Sequence, residues 1–318
     1  MTFISVDPSQ SSLKEVHNLL LGGVTPRPIA LVSTISEAGI MNLAPFSFFN
    51  AFGANPPYVA FSPAYSGRDG SPKDTLLNLE KIPQCVIHAV PYELIHQTSL
   101  ASSAYSPDIN EFEKAGFTAI DSDIVKPKRV KESPFHMECE VEQIIPLGGI
   151  NGSGNLILCR VVRFHVAEEV MHDGIIDPQL IRLVGRNSSS YYTKAFDSSI
   201  FSLSKPASVG IGIDQLPQHI RESKILSANN LGQLGGVSEI PDDKIILAFI
   251  NDNRVTEKLK HEEVAVIDDY RLLFAKGLSL AKSGTSQTND LIHKAARSAL
   301  DADDIDFALK ALLSIQHL

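Results

Sequence analysis

The 318-residue sequence contains no Gly-Xaa-Ser-Xaa-Gly elbow, no His-Glu-Xaa-Xaa-His pair, no P-loop and no Cys-Xaa-Xaa-Cys. Each missing motif removes the usual support for one chemistry: serine hydrolysis, zinc proteolysis, nucleoside-triphosphate hydrolysis and dithiol exchange. There are three cysteines, Cys85, Cys139 and Cys159, too few and too scattered for a disulfide scaffold or a metal framework. Each lies in an apolar or alternating run and is expected in a core. No apolar run approaches the ~18 residues that span a bilayer, so no membrane span is expected. The stretch Met1–Pro8 lacks the basic region and apolar core of a secretory signal, which makes the cytoplasm the expected compartment. Basic charge is scarce as well, with 28 Lys and Arg against 37 Asp and Glu. Residues 1–199 hold 15 basic and 21 acidic side chains and residues 200–318 hold 13 and 16, so neither part suits nucleic acid. The local cluster Lys126, Lys128, Arg129 and Lys131 reads as a solvated connector. The acidic run Asp301–Asp306 lacks the glycine and terminal glutamate of a calcium loop and reads as a helix cap. No metal ligand set is expected.

What is present is an ordinary globular composition, 43% hydrophobic and 20% charged. Leu13, Val16, Leu19 and Leu20, with Ser11 or Ser12 as cap and Gly22-Gly23 as stop, suggest a leader helix that packs on the β-rich part of the chain. From Val24 the texture turns to apolar or period-two runs: Ile29–Ser33, Pro57–Ser62, Gln84–Val90, Met137–Ile145 and Asn155–Val166. Five or more strands at irregular spacing favour an antiparallel sheet closed on itself. Helical patterns fall at Lys73–Lys81, Tyr92–Ser102 and Glu111–Ala115. The glycine-dense Gly148–Gly154 lacks a dinucleotide fingerprint and reads as a hairpin connection. His88 sits inside an apolar strand and is expected to be satisfied in the core, and no histidine is assigned a catalytic role.

Beyond Ser199 helix-like patterns take over, at Leu216–Leu226, Asp243–Ile250, Val255–Lys260, Asp290–Leu300 and Asp304–Leu313. Loops are expected at Ser227–Ser238 and Ser283–Thr288. The division expected is therefore 1–199 for the β-rich domain and 200–318 for a mostly α-helical extension. That extension either covers the β-rich domain and limits access to its site, or folds as an independent domain.

Three segments gather the groups that hold a phosphate-bearing ligand. The first, Thr25-Pro26-Arg27-Pro28, is a rigid turn ahead of the apolar run that carries Ser33 and Thr34. The second is Asn42-Leu43-Ala44-Pro45-Phe46-Ser47-Phe48-Phe49-Asn50, where small and polar residues interrupt aromatic ones and Pro45 forbids a regular central strand. The third is Ser66-Gly67-Arg68-Asp69-Gly70-Ser71-Pro72-Lys73-Asp74-Thr75, in which Ser71 is expected as an N-cap and Pro72 as the first helical residue. A helix start offers unpaired N–H groups, and Arg68 and Lys73 add charge beside it. An ordinary capped surface helix with solvated Arg and Lys fits the third segment equally well.

Together these residues resemble the flavin reductase-like family, the FMN-binding split barrels, over roughly Gly22–Tyr192. Members share a Pro-Arg-Pro lead-in, an Asn-Xaa-Ala-Pro-Xaa-Ser-Phe-Phe stretch and a Lys-Asp-Thr helix start. The resemblance departs at Arg182–Tyr192, where Val184 adds a residue to the family's Arg-Leu-Gly-Gly element and Arg186 replaces its second glycine. It implies a mainly β fold with α, an antiparallel Greek-key split β-barrel, that binds FMN, takes hydride from NADH or NADPH and forms a homodimer. It also implies the site residues: the phosphate between Arg68, Gly70, Ser71, Lys73, Asp74 and Thr75, and the ring along Asn42, Ala44, Pro45, Ser47 and Phe48. Ser33 or Thr34 and the Thr25–Pro28 turn would serve the ring's polar edge. No protein side chain is expected to be catalytic, since hydride chemistry resides in the flavin. A flavoredoxin-like electron carrier with a redox protein partner, and a binding module without reductase activity, are the alternatives.

Overall fold

The computed structural model describes residues 1–203, 209–253, 269–281 and 286–318. They form two compact units, Met1–Phe201 and Ser202–Leu318. The expected helix at Val255–Lys260 and residues 283–285 of the expected loop lie outside the described residues.

Unit 1 opens with α1 (Leu13–Gly23), capped by the Ser12 side chain, which accepts from the Glu15 N–H. None of its residues is buried, yet the Leu13 side chain lies against Gly67 and Gly152 of the same unit. Strands β1 (Ala30–Ile35), β2 (Met41–Phe46), β3 (Phe49–Ala54) and β4 (Pro57–Phe61) come next, then α2 (Asp74–Lys81) and β5 (Gln84–His88). After α3 (Ile95–Leu100) and α4 (Glu111–Ala115), a small ribbon of β6 (Ala119–Ile120) and β7 (Arg129–Val130) precedes the long hairpin β8 (Phe135–Pro146) and β9 (Asn155–Val166). The unit closes with a ribbon of β10 (Met171–His172) and β11 (Ile175–Ile176), α5 (Pro178–Ile181), and a ribbon of β12 (Val184–Arg186) and β13 (Tyr192–Lys194).

The main sheet is antiparallel with strand order β2-β1-β5-β8-β9-β4-β3. Seven flat strands ~4.8 Å apart would set the two edges ~29 Å from each other. Yet the edge strands β2 and β3 are joined by Ser47 and Phe48 alone, and each extended residue spans at most ~3.6 Å. The sheet must therefore curl into a barrel, and because β2 and β3 share no ladder the barrel is split at that seam. Pro45 is tolerated because β2 pairs only with β1, leaving its other side open.

Strand alternation separates two cores. Ala30 and Val32 of β1 face inward with Phe61, Ile87, Met137, Ile157 and all three cysteines, closed at one end by Leu76 and Leu79 of α2. Leu31 faces the other way, into Leu43, Leu94, Phe112, Val130 and Val184. β1 is thus covered on both faces, as its unbroken apolar run requires.

Unit 2 comprises α6 (Gln218–Arg221), α7 (Ala228–Gly235), α8 (Asp243–Asp252), α9 (Tyr270–Ala281), α10 (Ser286–Asp301) and α11 (Ile305–Ser314), around a core that includes Ile220, Leu234, Phe274, Ile292, Phe307 and Leu312. Three expectations are corrected. The helix expected over Leu216–Leu226 is the single turn α6, and the expected loop Ser227–Ser238 contains α7, whose start is fixed by a reciprocal Ser227–Asn230 capping box. Residues 286–288 belong to α10 rather than to a loop. Asp304 caps α11 by accepting from the Phe307 N–H, the role expected for the acidic run.

Candidate functional site

α2 begins two residues later than expected. Its N-cap is Lys73, in extended conformation, and no side chain caps it. Ser71 is instead turned back: its N–H and its hydroxyl both donate to Asp69 Oδ1, at 3.1 and 2.8 Å. Hydrogen bonds from Ser66 and then Ser71 hold the Asp69 carboxyl down at about 2. The loop thus satisfies itself and leaves the first-turn amides of α2 without a side-chain acceptor. Arg68 and Lys73 are exposed beside them, and neither forms a salt bridge to a described residue. Gly70 sits at φ 71°, and a Cβ there would collide with the Asn151 carboxamide. The Gly148–Gly154 connection of the β8–β9 hairpin therefore packs directly on this loop.

Behind the helix start lies a buried polar network. The Asn42 carboxamide, on β2, donates to Thr34 Oγ1 and to Thr75 Oγ1, both at 3.1 Å, and Asn78 donates to Thr34 Oγ1 at 3.0 Å. Thr75, 1% exposed, only accepts in this network, so its hydroxyl proton remains available to an acceptor at the helix start. Two carboxylates flank the network. Burial pushes the Asp74 carboxyl up against the opposing pull of Lys73, and burial also raises Glu111, whose carboxylate accepts from the Leu43 N–H at 3.1 Å.

The other expected residues have different partners. Arg27 is 4% exposed, and its guanidinium donates to the carbonyls of Leu21, Val24 and Asn187 and to Ser47 Oγ. Burial, with Arg186 nearby, lowers it from the usual guanidinium range. Its backbone pairs with Arg186 in both directions, at 2.9 and 2.8 Å. Gly185 permits this approach, since a Cβ there would lie 2.8 Å from Pro26 Cβ. Thr25 reaches the same segment through Asn187. Ser33 faces away from Thr34 and donates to the Lys128 carbonyl at 2.6 Å. Ala44, Pro45, Ser47 and Phe48 are half-buried along β2 and the seam, and the Arg27 guanidinium stands 5.8 Å from the Phe48 ring centre. The structure therefore brings Asn42, Thr34, Thr75 and the Arg68–Lys73 loop together at one end of β2. Arg27, Pro28 and Ser47 gather at the other end.

An apolar groove of about 760 Å3 shares Pro26, Arg27 and Pro28 with the expected site and is otherwise lined by groups such as Phe49, Tyr58, Met137, Phe164 and Leu183. Chemistry that sequence reasoning missed lies on the outer face of β8. Glu138 is fully buried and accepts three backbone N–H groups, from Asp123, Ile124 and Val125, and a bond from His165 at 2.7 Å. Burial alone would raise its carboxyl; these bonds outweigh that and hold it below its ordinary value. His88 has Nδ1 2.8 Å from the Leu31 carbonyl and accepts from the Val130 N–H at Nε2, as expected of a satisfied core ring. Burial pulls it down to about 3, with His136 adding to the effect, and burial likewise pulls His136 down to about 4.

Residues 21–182 match the flavin reductase like domain. The chain belongs to that family. The match covers half of the chain and lies within unit 1; unit 2 is outside it. An uncharacterized protein of Halalkalibacterium halodurans is 39% identical over 207 residues, covering 64% of this chain and 97% of the relative. One of Aquifex aeolicus is 35% identical over 183 residues, 57% of this chain and 90% of the relative. Among solved structures, nitrilotriacetate monooxygenase component B from Bacillus cereus aligns with a TM-score of 0.60 at 32% identity, over 64% of this chain and all of that one. The 2-nitrobenzoate 2-nitroreductase of Pseudomonas fluorescens aligns at 0.55 and 25%, over 63% and 96%. The split antiparallel barrel expected from the sequence is thus the flavin reductase-like fold. Among the described residues no helix is long and apolar enough to cross a membrane.

Proposed function

We propose that this flavin reductase-like chain binds FMN and is an oxidoreductase passing hydride or electrons between NADH or NADPH and the flavin. One observation carries the reading: an uncapped helix start with two cations outside any described salt bridge adjoins a buried hydroxyl that still has a proton to donate. A phosphate satisfies all three, as acceptor for the first-turn amides and Thr75 and as counter-charge for Arg68 and Lys73. Asp69 and Ser71, already paired with each other, shape the loop; Gly70 lets it turn. From there the ring runs along β2, past Asn42 and Ala44 to Pro45, Ser47 and Phe48. Arg27, spent on internal carbonyls, holds Ser47 and the Thr25–Pro28 turn in place.

When bound, the flavin supplies the hydride chemistry itself. The chain's own residues bind the phosphate, orient the ring and keep water from one face. We propose also that the chain works as a homodimer in the cytoplasm. The edge strand β3 is exposed along most of its length, α1 buries no residue, and the apolar groove lies beside β3, so a second copy would cover surface that is costly to leave in water.

The direct test is titration of FMN into the purified full chain by flavin fluorescence, followed by NADH and NADPH oxidation with FMN present. Saturable FMN binding with turnover of one nucleotide supports the reading. Tight FMN without turnover would make the protein an electron carrier, and no FMN binding would overturn the proposal.

A further inference from the structure

Residues 62–73, between β4 and α2, carry Arg68 and Lys73 and have no regular structure. A surface segment of this length ordinarily leaves such side chains free to wander. Local bonds close part of it on itself: the Ser66 N–H donates to the Ser71 carbonyl and the Gly70 N–H to the Ser66 carbonyl, both at 2.9 Å. These bonds fix the shape of the turn and leave its place on the barrel undetermined.

That place is set by the connection between β8 and β9. The β4–β9 ladder pairs Phe61 with Ile157, and beyond it the two chains stay side by side in the same antiparallel sense. Asn155, the first residue of β9 and 1% exposed, donates from its carboxamide to the Pro63 carbonyl at 3.0 Å. The Tyr65 N–H donates to the Ser153 carbonyl at 3.0 Å, and the Gly152 N–H to the Tyr65 carbonyl at 3.2 Å. The exposed Asn151 carboxamide then abuts Gly70, whose φ of 71° also calls for glycine. The connection is itself tied: Ser153 Oγ donates to the Ile150 carbonyl at 2.5 Å and accepts from the Ile150 N–H at 3.0 Å. Leu13 of α1 touches both Gly67 and Gly152 and so bridges the two segments. A site made of backbone N–H groups and two exposed cations binds an anion well only if those groups are held in place beforehand.

We infer that the β8–β9 connection is a positioning element of the phosphate site, with Asn151 and Asn155 as its positioning residues. It holds the loop so that Arg68, Lys73 and the first-turn amides of α2 serve one anion. The inference rests on the phosphate placement proposed above. Because the loop carries groups for the phosphate and the ring runs along β2, the connection governs affinity for the phosphate and not for the ring.

The test compares FMN with riboflavin, which has the same ring and no phosphate, by fluorescence titration of the full chain and of Asn155→Ala and Asn151→Gly. Asn155→Ala should weaken FMN about fivefold or more, the worth of one hydrogen bond, and Asn151→Gly by a smaller factor, with riboflavin unchanged in both. Combined with Arg68→Ala and Lys73→Ala, Asn155→Ala should weaken FMN less than it does alone, because the cations it positions are gone. Asn151 is exposed, so its variant decides the matter if Asn155→Ala does not fold. An unchanged FMN affinity in either folded variant overturns the inference, as does an equal loss of FMN and riboflavin or full additivity with the cation substitutions. Calorimetric titration of inorganic phosphate into the same proteins separates the two readings. Phosphate bound by the wild-type chain and more weakly by the variants, without FMN binding, leaves the positioning role standing and sinks the flavin reading. FMN affinity that survives both substitutions does the reverse, and binding of neither ligand removes both.

Discussion

At the scale of single residues, charge and buried hydrogen bonds decide most. The Arg68 and Lys73 side chains are exposed and form no salt bridge to a described residue, so their removal tests the phosphate placement. The double substitution Arg68→Ala with Lys73→Ala is expected to weaken FMN by ~2–4 kcal/mol, given ~1.5–3 kcal/mol for each charged contact before non-additivity. Fluorescence titration reads this, and retained affinity in a protein with unchanged circular dichroism would place the phosphate elsewhere. His88 and His136 set a pH dependence instead. Both rings stay neutral in the folded chain to about 3 and about 4, whereas unfolded rings take up a proton below 6.5. Because the unfolded state then binds more protons, stability is full above pH 6.5 and falls between 6.5 and about 4. The slope is up to ~1.4 kcal/mol per pH unit for each ring. Glu111 and Asp74, raised by burial, act oppositely, because their cost is relieved as they protonate. Urea unfolding across this window, repeated on His88→Gln, checks the sign: the variant should lose part of the slope.

At the scale of elements, α1 is tied down at its C-terminal end by Arg27. Its C-terminal carbonyl Leu21 and the cap carbonyl Val24 receive Arg27, which also complements the negative end of the helix dipole. Arg27→Met keeps much of the packing and removes the donors. It is expected to cost ~2–4 kcal/mol by stranding several carbonyls, and to raise amide exchange in residues 13–23 ahead of the barrel strands. If exchange in α1 is unchanged by mass spectrometry, the helix is held by something other than Arg27. The split of the barrel is also decided by an element, since β2 carries a proline on its open side and β3 is almost entirely exposed.

At the scale of the whole molecule, each unit owns a core, and neither hydrophobic core of unit 1 shares a residue with that of unit 2. Calorimetry should therefore resolve two unfolding transitions, and a chain ending at Phe201 should retain the unit 1 transition and its FMN affinity. A truncated chain that aggregates, or accepts a wider range of donors and acceptors, would instead show that residues after Phe201 cover the site. The proposed second copy makes a separate prediction. Phe52, on β3, is 66% exposed, and Phe52→Glu should shift the protein from dimer to monomer in sedimentation without unfolding it. A wild-type monomer would remove the dimer proposal altogether.

What the sequence determined by itself was local and periodic. The runs at Ile29–Ser33, Pro57–Ser62, Gln84–Val90, Met137–Ile145 and Asn155–Val166 correspond to β1, β4, β5, β8 and β9, because an apolar strand buried on one or both faces writes its period into the chain. Pro45 marked an edge for the same kind of reason, a missing N–H. Strand β3 escaped notice because its exposed Asn50 and Gly53 carry no alternation, and α7 because Asn229, Asn230 and Gly232 look like a loop until the Ser227–Asn230 box closes. Tertiary structure alone decided where hydrogen-bond donors end. Ser71 has the composition of a cap but Asp69 captures it, Ser33 and Arg27 turn to distant carbonyls, and Glu138 collects the amides of a loop some fifteen residues away. Such partners are set by which strands the barrel brings side by side, and that information is not local to any stretch of sequence.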